Sequence, residues 1–110
     1  MSSIPSLIGF NKIQGNWHAE NVPLSEIANQ FGTPTYVYSR QALTEAFLAY
    51  DKACIRADGT RRARVHFAMK SNSNLAILDL FARLGAGFDL VSGGELARVI
   101  AAGADPKTTV

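Results

Sequence analysis

Residues 64–74 read RVHFAMKSNSN, and this stretch decides the fold class. A short apolar run, typical of a buried β-strand, ends at Lys70 and passes at once into a polar segment and a helical pattern. The same order returns about 23 residues later, with Phe88 in the place of Val65. Two successive strand-helix units predict a parallel sheet with helices packed outside it.

The elements that flank this stretch follow from periodicity and from capping residues. On the N-terminal side we predict a helix within residues 22–34, with Ser25 as N-cap and Gly32 as its end, a strand at residues 35–38, and a helix at 40–54 capped by Ser39. On the C-terminal side we predict a strand at residues 64–69, a helix at 74–84, a strand at 88–91, a helix from Ser92 to Gly103 with Leu96, Val99 and Ile100 on its inner face, and the opening of a third strand at 108–110.

Lys70 is the candidate for chemistry. An amine at the exit of a buried strand can lose solvation, which lowers its pKa and allows it to form an imine with an aldehyde or ketone. The ordinary alternative is a lysine whose charged end is simply solvated. Both parallel architectures, an open sheet and a closed barrel, place ligands at the carboxyl ends of strands, where Lys70 lies.

Composition is that of a soluble globular chain, with 110 residues, 47% apolar and 18% charged, and a net charge of +2. Four arginines crowd into one stretch, Arg56, Arg61, Arg62 and Arg64. We interpret them as a solvated loop rather than a nucleic-acid interface.

The single cysteine, Cys54, excludes an internal disulfide. Neither a secretory signal nor a stretch of membrane-spanning length is evident, so we expect a cytoplasmic protein with no membrane partner.

The predicted strands are too few for a finished α/β domain. Three or four parallel strands that stop at Val110 would leave an unpaired edge and half-covered helices. We therefore interpret the sequence as an N-terminal piece of a larger protein.

Three blocks of the sequence resemble the N-terminal part of diaminopimelate decarboxylases, a branch of the pyridoxal-phosphate enzymes with an alanine-racemase-like barrel. They are PLSEIANQFGTPTYVYSR from Pro23, HFAMKSNSNLAIL from His66, and GAGFDLVSGGELARVIAAGAD from Gly85. The middle block has the aromatic-Ala-x-Lys-Ser/Ala-Asn form of the family. The Asp-Leu-Val-Ser-Gly-Gly-Glu-Leu run in the third is among the more specific signatures of the diaminopimelate branch.

The resemblance implies an α/β fold, a partial (β/α)8 TIM-type barrel truncated after about three β-α units. Residues 1–34 would contribute to a second, β-rich domain of the complete enzyme, and residues 35–110 would form the incomplete barrel domain that binds pyridoxal phosphate. The implied activity is decarboxylation of meso-2,6-diaminopimelate to L-lysine, with pyridoxal 5'-phosphate as cofactor, no metal, and a homodimer as the complete enzyme.

The resemblance also implies the site residues. Lys70 would hold the cofactor covalently, as the catalytic lysine. Alternation along the strand would put His66, Ala68 and Lys70 on one side, so that Ala68 leaves room beneath the cofactor ring. Asp89 aligns with an acidic residue close to the cofactor, although a strand-end aspartate that caps a loop is an equal alternative.

Glu95 has two interpretations as well. With Ser92 it fits a helix capping box, which we favour over a catalytic role.

Two further interpretations of the function remain. The first is a related decarboxylase that acts on ornithine, arginine or carboxynorspermidine, because the residues that select the substrate are mostly outside this sequence. The second is a fragment without activity of its own, whose exposed strand edge binds or aggregates. In either case we expect the 110 residues alone to be inactive.

Overall fold

A computed structural model describes residues 7–110, and the chain divides into two compact units, residues 1–45 and residues 46–110. Within the described part of the chain, no helix combines the length and the apolar character that crossing a bilayer requires.

The first unit contains a small antiparallel sheet of three strands in the order β1-β2-β3. The strands are β1 (Phe10–Ile13), β2 (Asn16–Ala19) and β3 (Val22–Pro23). Gln14 and Gly15 join β1 to β2 with φ angles of 49° and 83°. A two-residue turn of this kind matches the twist of the strands, so it fixes their register.

Helix α1 (Leu24–Phe31) follows β3 directly. Pro23 occupies the N-cap position and no side chain caps the helix, so the prediction of Ser25 as N-cap is wrong. The reason is that β3 runs straight into the helix, which leaves Ser25 inside the first turn. Gly32, with a φ of 82°, ends α1 as predicted.

The strand predicted at residues 35–38 is absent. Tyr36 and Tyr38 stack with ring centroids 6.4 Å apart, as alternate residues of an extended segment can. β-branched and aromatic residues favour such a backbone, but a strand also needs a partner for its N–H and C=O groups. Residues 35–38 join neither of the sheets in the described part of the chain.

Helix α2 (Arg40–Ala53) begins at a buried cap. Ser39, only 4% exposed, accepts a hydrogen bond at Oγ from the Ala42 N–H at 3.1 Å, which confirms the predicted N-cap. Glu20 Oε1 accepts from the Gln41 N–H at 2.8 Å and from the Ser39 hydroxyl at 2.9 Å. The bond from Gln41, followed by that from Ser39, lowers the pKa of Glu20.

The second unit repeats strand and helix twice, as predicted. Its elements are β4 (His66–Ala68), a 3₁₀ turn (Met69–Ser71), α3 (Leu75–Arg83), β5 (Gly87–Asp89), α4 (Gly93–Ala101) and a second 3₁₀ turn (Pro106–Thr108). β4 and β5 pair in parallel, with Phe67 opposite Phe88. Thr109 forms a parallel bridge to Phe88, and the Val110 N–H donates to the Phe88 carbonyl at 2.9 Å, which confirms the opening of a third strand.

The core of this unit lies between the sheet and the helices. Its largest fully buried side chains are Phe88, Met69, Leu78 and Val99. Ile100 is 49% exposed, so its predicted place on the inner face of α4 is wrong. The buried stripe runs instead through Val99 and Ala102, which are one helical turn apart. Residues 7–110 therefore form a mixed α/β structure, without closure of a barrel.

Candidate functional site

Lys70 is the middle residue of the 3₁₀ turn Met69–Ser71, which follows β4 directly. Because the strand ends at Ala68, strand alternation does not orient Lys70, and its placement on the same side as His66 and Ala68 stays a prediction. Lys70 is also exposed rather than dehydrated. The predicted position at the carboxyl end of a parallel strand is nevertheless observed.

Local contacts hold the turn that carries Lys70. Met69 is fully buried and anchors the turn in the core. On the other side of Lys70, the Ser71 hydroxyl donates to the Ala68 carbonyl at 2.8 Å, and the Asn72 N–H donates to the Met69 carbonyl at 3.1 Å. The backbone on both sides of Lys70 is thus fixed, while its side chain is left accessible.

The SNSN segment forms the link from this turn to α3. Asn72 Oδ1 accepts from the Asn74 N–H at 3.0 Å, and Asn74 Oδ1 accepts from the Ala76 N–H at 2.9 Å. The second bond makes Asn74 the N-cap of α3. Each asparagine therefore has a local structural role that accounts for a short polar residue at its position.

An open concavity of about 490 Å³ lies beside Lys70. Its wall includes Ser73 from the link before α3, and Ser92, Glu95 and Arg98 from the start and the middle of α4. The concavity therefore combines an accessible amine with the N-terminal end of a helix, at the carboxyl edge of the parallel pair.

Glu95 serves the capping of α4. The Ser92 hydroxyl oxygen accepts from the Glu95 N–H at 3.2 Å, and Glu95 Oε2 accepts from the Val91 N–H at 2.7 Å. This confirms the predicted reciprocal capping, with the difference that the carboxylate reaches the residue before the N-cap. These contacts agree with the structural role that we favoured for Glu95.

Ala68 and Asp89 lie opposite each other in the register of β4 and β5. Ala68 lines an apolar groove of about 250 Å³ together with Phe47 and Tyr50, a concavity distinct from the one at Lys70. Asp89 is half-buried, and among residues 7–110 it forms no ion pair with Lys70. The structure thus brings Ala68 and Asp89 together, while the predicted contacts of both with a cofactor stay predictions.

The arginine-rich stretch forms an exposed loop, consistent with its interpretation as a solvated segment. Arg61 makes two hydrogen bonds to Asp51, at 2.7 Å and 3.2 Å. This pairing lowers the pKa of Asp51 and raises that of Arg61.

Arg98 and Ser73 are the residues of this concavity that the sequence analysis missed. The available signal was spacing: Arg98 follows Glu95 by three residues, so both lie on one face of a helix that begins beside the predicted site.

Comparison with known proteins points to one family. Residues 40–110 match the family described as pyridoxal-dependent decarboxylase, pyridoxal binding domain. Diaminopimelate decarboxylase of Vibrio cholerae is 51% identical over 96 residues, which are 87% of this chain and 22% of that protein. The chain thus spans about a fifth of the length of this relative.

Solved structures agree with this similarity. A crystal structure of diaminopimelate decarboxylase from M. jannaschii in co-complex with L-lysine superposes with a TM-score of 0.82 at 32% identity, over 94% of this chain and 25% of that one. Lysine decarboxylase from Selenomonas ruminantium gives a TM-score of 0.64 at 30% identity, over 79% of this chain and 22% of that one.

Proposed function

This chain belongs to the pyridoxal-dependent decarboxylase family, and from that premise we propose that it supplies the cofactor-binding lysine, Lys70, of an enzyme that converts meso-2,6-diaminopimelate to L-lysine. The observation that carries the proposal is the place of Lys70: in the turn that follows a parallel strand, on the wall of a concavity, within a sequence about half identical to diaminopimelate decarboxylase. Parallel α/β structures bind their ligands at this edge.

The residues present fit pyridoxal 5'-phosphate, the cofactor of the family. The exposed Lys70 amine faces no ion-pair partner among residues 7–110, so its nitrogen is available to an aldehyde. The turn orients the amine, and the concavity beside it leaves room for a ligand. When bound, the cofactor supplies an electron sink for the electron pair that remains when carbon dioxide leaves.

Two residues at the carboxyl ends of β4 and β5 have proposed supporting roles. Ala68, at the end of β4, leaves space beneath the cofactor ring because its side chain is a single methyl group. Asp89, opposite Ala68 at the end of β5, lies near the cofactor and accepts a hydrogen bond from it or biases the lysine. These roles are part of the proposal for the complete enzyme.

We further propose that the mixed α/β unit is the first part of an alanine-racemase-like (β/α)8 barrel. In that arrangement residues 35–110 belong to the barrel domain, and residues 1–34 contribute to a second, β-rich domain. The parallel register of β4 and β5 and the bridge at Thr109 are the observations in favour of a continuing parallel sheet. A homodimer is proposed for the complete enzyme.

The test is trapping of pyridoxal phosphate on the protein with borohydride, followed by peptide mass spectrometry. We expect a reduced adduct on Lys70 and its loss in Lys70→Ala. Lys107→Ala is the matched control, because Lys107 is an exposed lysine of the same unit in a comparable 3₁₀ turn. In the complete protein, release of L-lysine from meso-diaminopimelate should vanish in Lys70→Ala and persist in Lys107→Ala. An adduct spread equally over both lysines would contradict the proposal.

A related amino-acid decarboxylase is the second candidate, favoured by the structural similarity to a lysine decarboxylase. It uses the same lysine and cofactor, so the adduct at Lys70 does not separate the two. Substrate preference does: faster carbon dioxide release from ornithine, arginine or carboxynorspermidine than from meso-diaminopimelate would favour the second candidate.

A further inference from the structure

Arg98 connects α4 to the segment that follows Lys70. Its Nε donates a hydrogen bond to the Ser73 carbonyl oxygen at 2.9 Å, across 25 positions of sequence. Ser73 lies three residues after Lys70, in the link between the 3₁₀ turn and α3. Arg98, Ser73 and Lys70 all line the same concavity.

The other side-chain hydrogen bonds of this link are local. Those of Ser71, Asn72 and Asn74 each join residues two or three positions apart. Such bonds shape the turn, but they do not tie it to the rest of the unit. Arg98 makes the long-range side-chain bond to this segment within the described part of the chain, and its donor is charged, which strengthens the bond.

We propose that Arg98 is a positioning residue: by fastening the Ser73 carbonyl to α4, it fixes the turn that carries Lys70 and thus the direction from which the amine meets the cofactor aldehyde. This proposal rests on the proposed function of Lys70. Arg98 itself touches no reacting atom. It acts through the backbone between Lys70 and Ser73, because the local bonds of Ser71 and Asn72 shape the turn without tying its C-terminal end to α4.

The test compares three variants in the full chain. Arg98→Met keeps a long apolar stem and removes every donor, and Arg98→Lys restores the charge and a donor without the fixed fork of the guanidinium. Arg83→Met is the matched control. Arg83, on α3, donates from Nε to both carboxylate oxygens of Asp79 at 2.9 Å, one turn away on the same helix.

Two quantities are measured: backbone amide exchange in residues 71–74, and the rate at which pyridoxal phosphate becomes trappable on Lys70. In Arg98→Met we expect faster exchange in the link and adduct formation slower by about tenfold, the factor that loss of one charge-assisted hydrogen bond represents. Arg98→Lys should recover part of the rate, and Arg83→Met should behave as the parent chain. Circular dichroism verifies that the variants are folded; should Arg98→Met fail this check, Arg98→Leu, which also has no donor, takes its place.

The outcomes separate the two proposals. Equal rates in Arg98→Met and Arg83→Met would overturn the positioning role, as would faster exchange without any change of rate. A reduced melting temperature with an unchanged rate would assign Arg98 to stability and likewise overturn it. If the parent chain forms no adduct at Lys70, the proposed function fails, whereas the exchange comparison still decides whether Arg98 holds the link.

Discussion

Replacement of Gly87 by alanine should destabilise the second unit, because two neighbours already occupy the space of a β-carbon. A Cβ on Gly87 would lie 2.5 Å from His66 Cδ2 and Nε2 and 2.6 Å from the Thr108 carbonyl oxygen. Unstrained carbon contacts are about 3.5–4.0 Å, so each neighbour must move by roughly an ångström. The imidazole can rotate away. The carbonyl cannot move without shifting the chain next to Thr109, which pairs with Phe88.

Overpacking of a well-packed site costs about 1–3 kcal/mol, and we expect about 2 kcal/mol here because one of the two clashes involves backbone. For a chain of this size that value lowers the melting temperature by about 10 °C. The assay is urea and thermal unfolding followed by circular dichroism. Gly93→Ala is the control: a Cβ there meets nothing within 4 Å, and Gly93 is the first residue of α4, where alanine favours the helix.

A double variant separates the two clashes. His66→Ala in the Gly87→Ala background should recover only part of the lost stability, since the Thr108 carbonyl remains in place. Stability of Gly87→Ala within about 0.5 kcal/mol of Gly93→Ala would refute the reasoning. So would complete recovery in the double variant, because it would show that the imidazole alone resists the β-carbon.

Two further changes test the core and the helix cap. Phe81→Ala should lower the free energy of unfolding by about 3–5 kcal/mol, because Phe81 packs against Phe67 at a ring-centroid distance of 4.6 Å. Ile100→Ala is the control: Ile100 is 49% exposed, so its replacement should change the free energy of unfolding, measured by chemical denaturation, by no more than about 1 kcal/mol. Glu20→Gln should remove a pH-dependent part of the stability: because the pKa of Glu20 is lowered from 4.5, its contribution is complete above that pH and is lost as the pH falls through the lowered value. Parent and variant unfolding curves should therefore differ at pH 7 and converge in acid, and a constant difference would contradict this.

The order of elements was predictable because apolar residues recur along the sequence at the spacing of the helix or strand they belong to. Val99 is buried on the stripe predicted for α4, and glycines at positions 32, 85 and 103 take the positive φ angles that end helices. The failures have a different origin. Residues 35–38 carry the local propensity of a strand, but a strand also requires a partner, which propensity does not report. Likewise Ile100 is exposed because the face that α4 buries depends on its neighbours.

The candidate site was predictable in position and less so in geometry. An apolar run that stops at a lysine placed Lys70 at the edge of the sheet. Strand periodicity, however, does not tell where a strand gives way to a turn, and here the 3₁₀ turn begins at Met69, before Lys70. The Arg98–Ser73 bond could not be predicted from the sequence for a related reason. It joins positions 25 apart, and it depends on the packing of α3 and α4.

Imine formation at Lys70 has two requirements, orientation of the amine and its enclosure, and this chain supplies only the first. Orientation comes from this chain: Met69 anchors one side of the lysine, and Ser71 and Arg98 hold the other. Enclosure of the amine is not supplied, because Lys70 is exposed. The chain accounts for 22% of the length of its Vibrio cholerae relative, and in the barrel proposed above further strands would enclose the amine. We therefore expect the 110 residues alone to bind pyridoxal phosphate weakly at Lys70 and to give little visible absorbance on titration, and a complete protein to bind it tightly at the same pH. A stable, Lys70-dependent band in the short chain would show that orientation alone suffices.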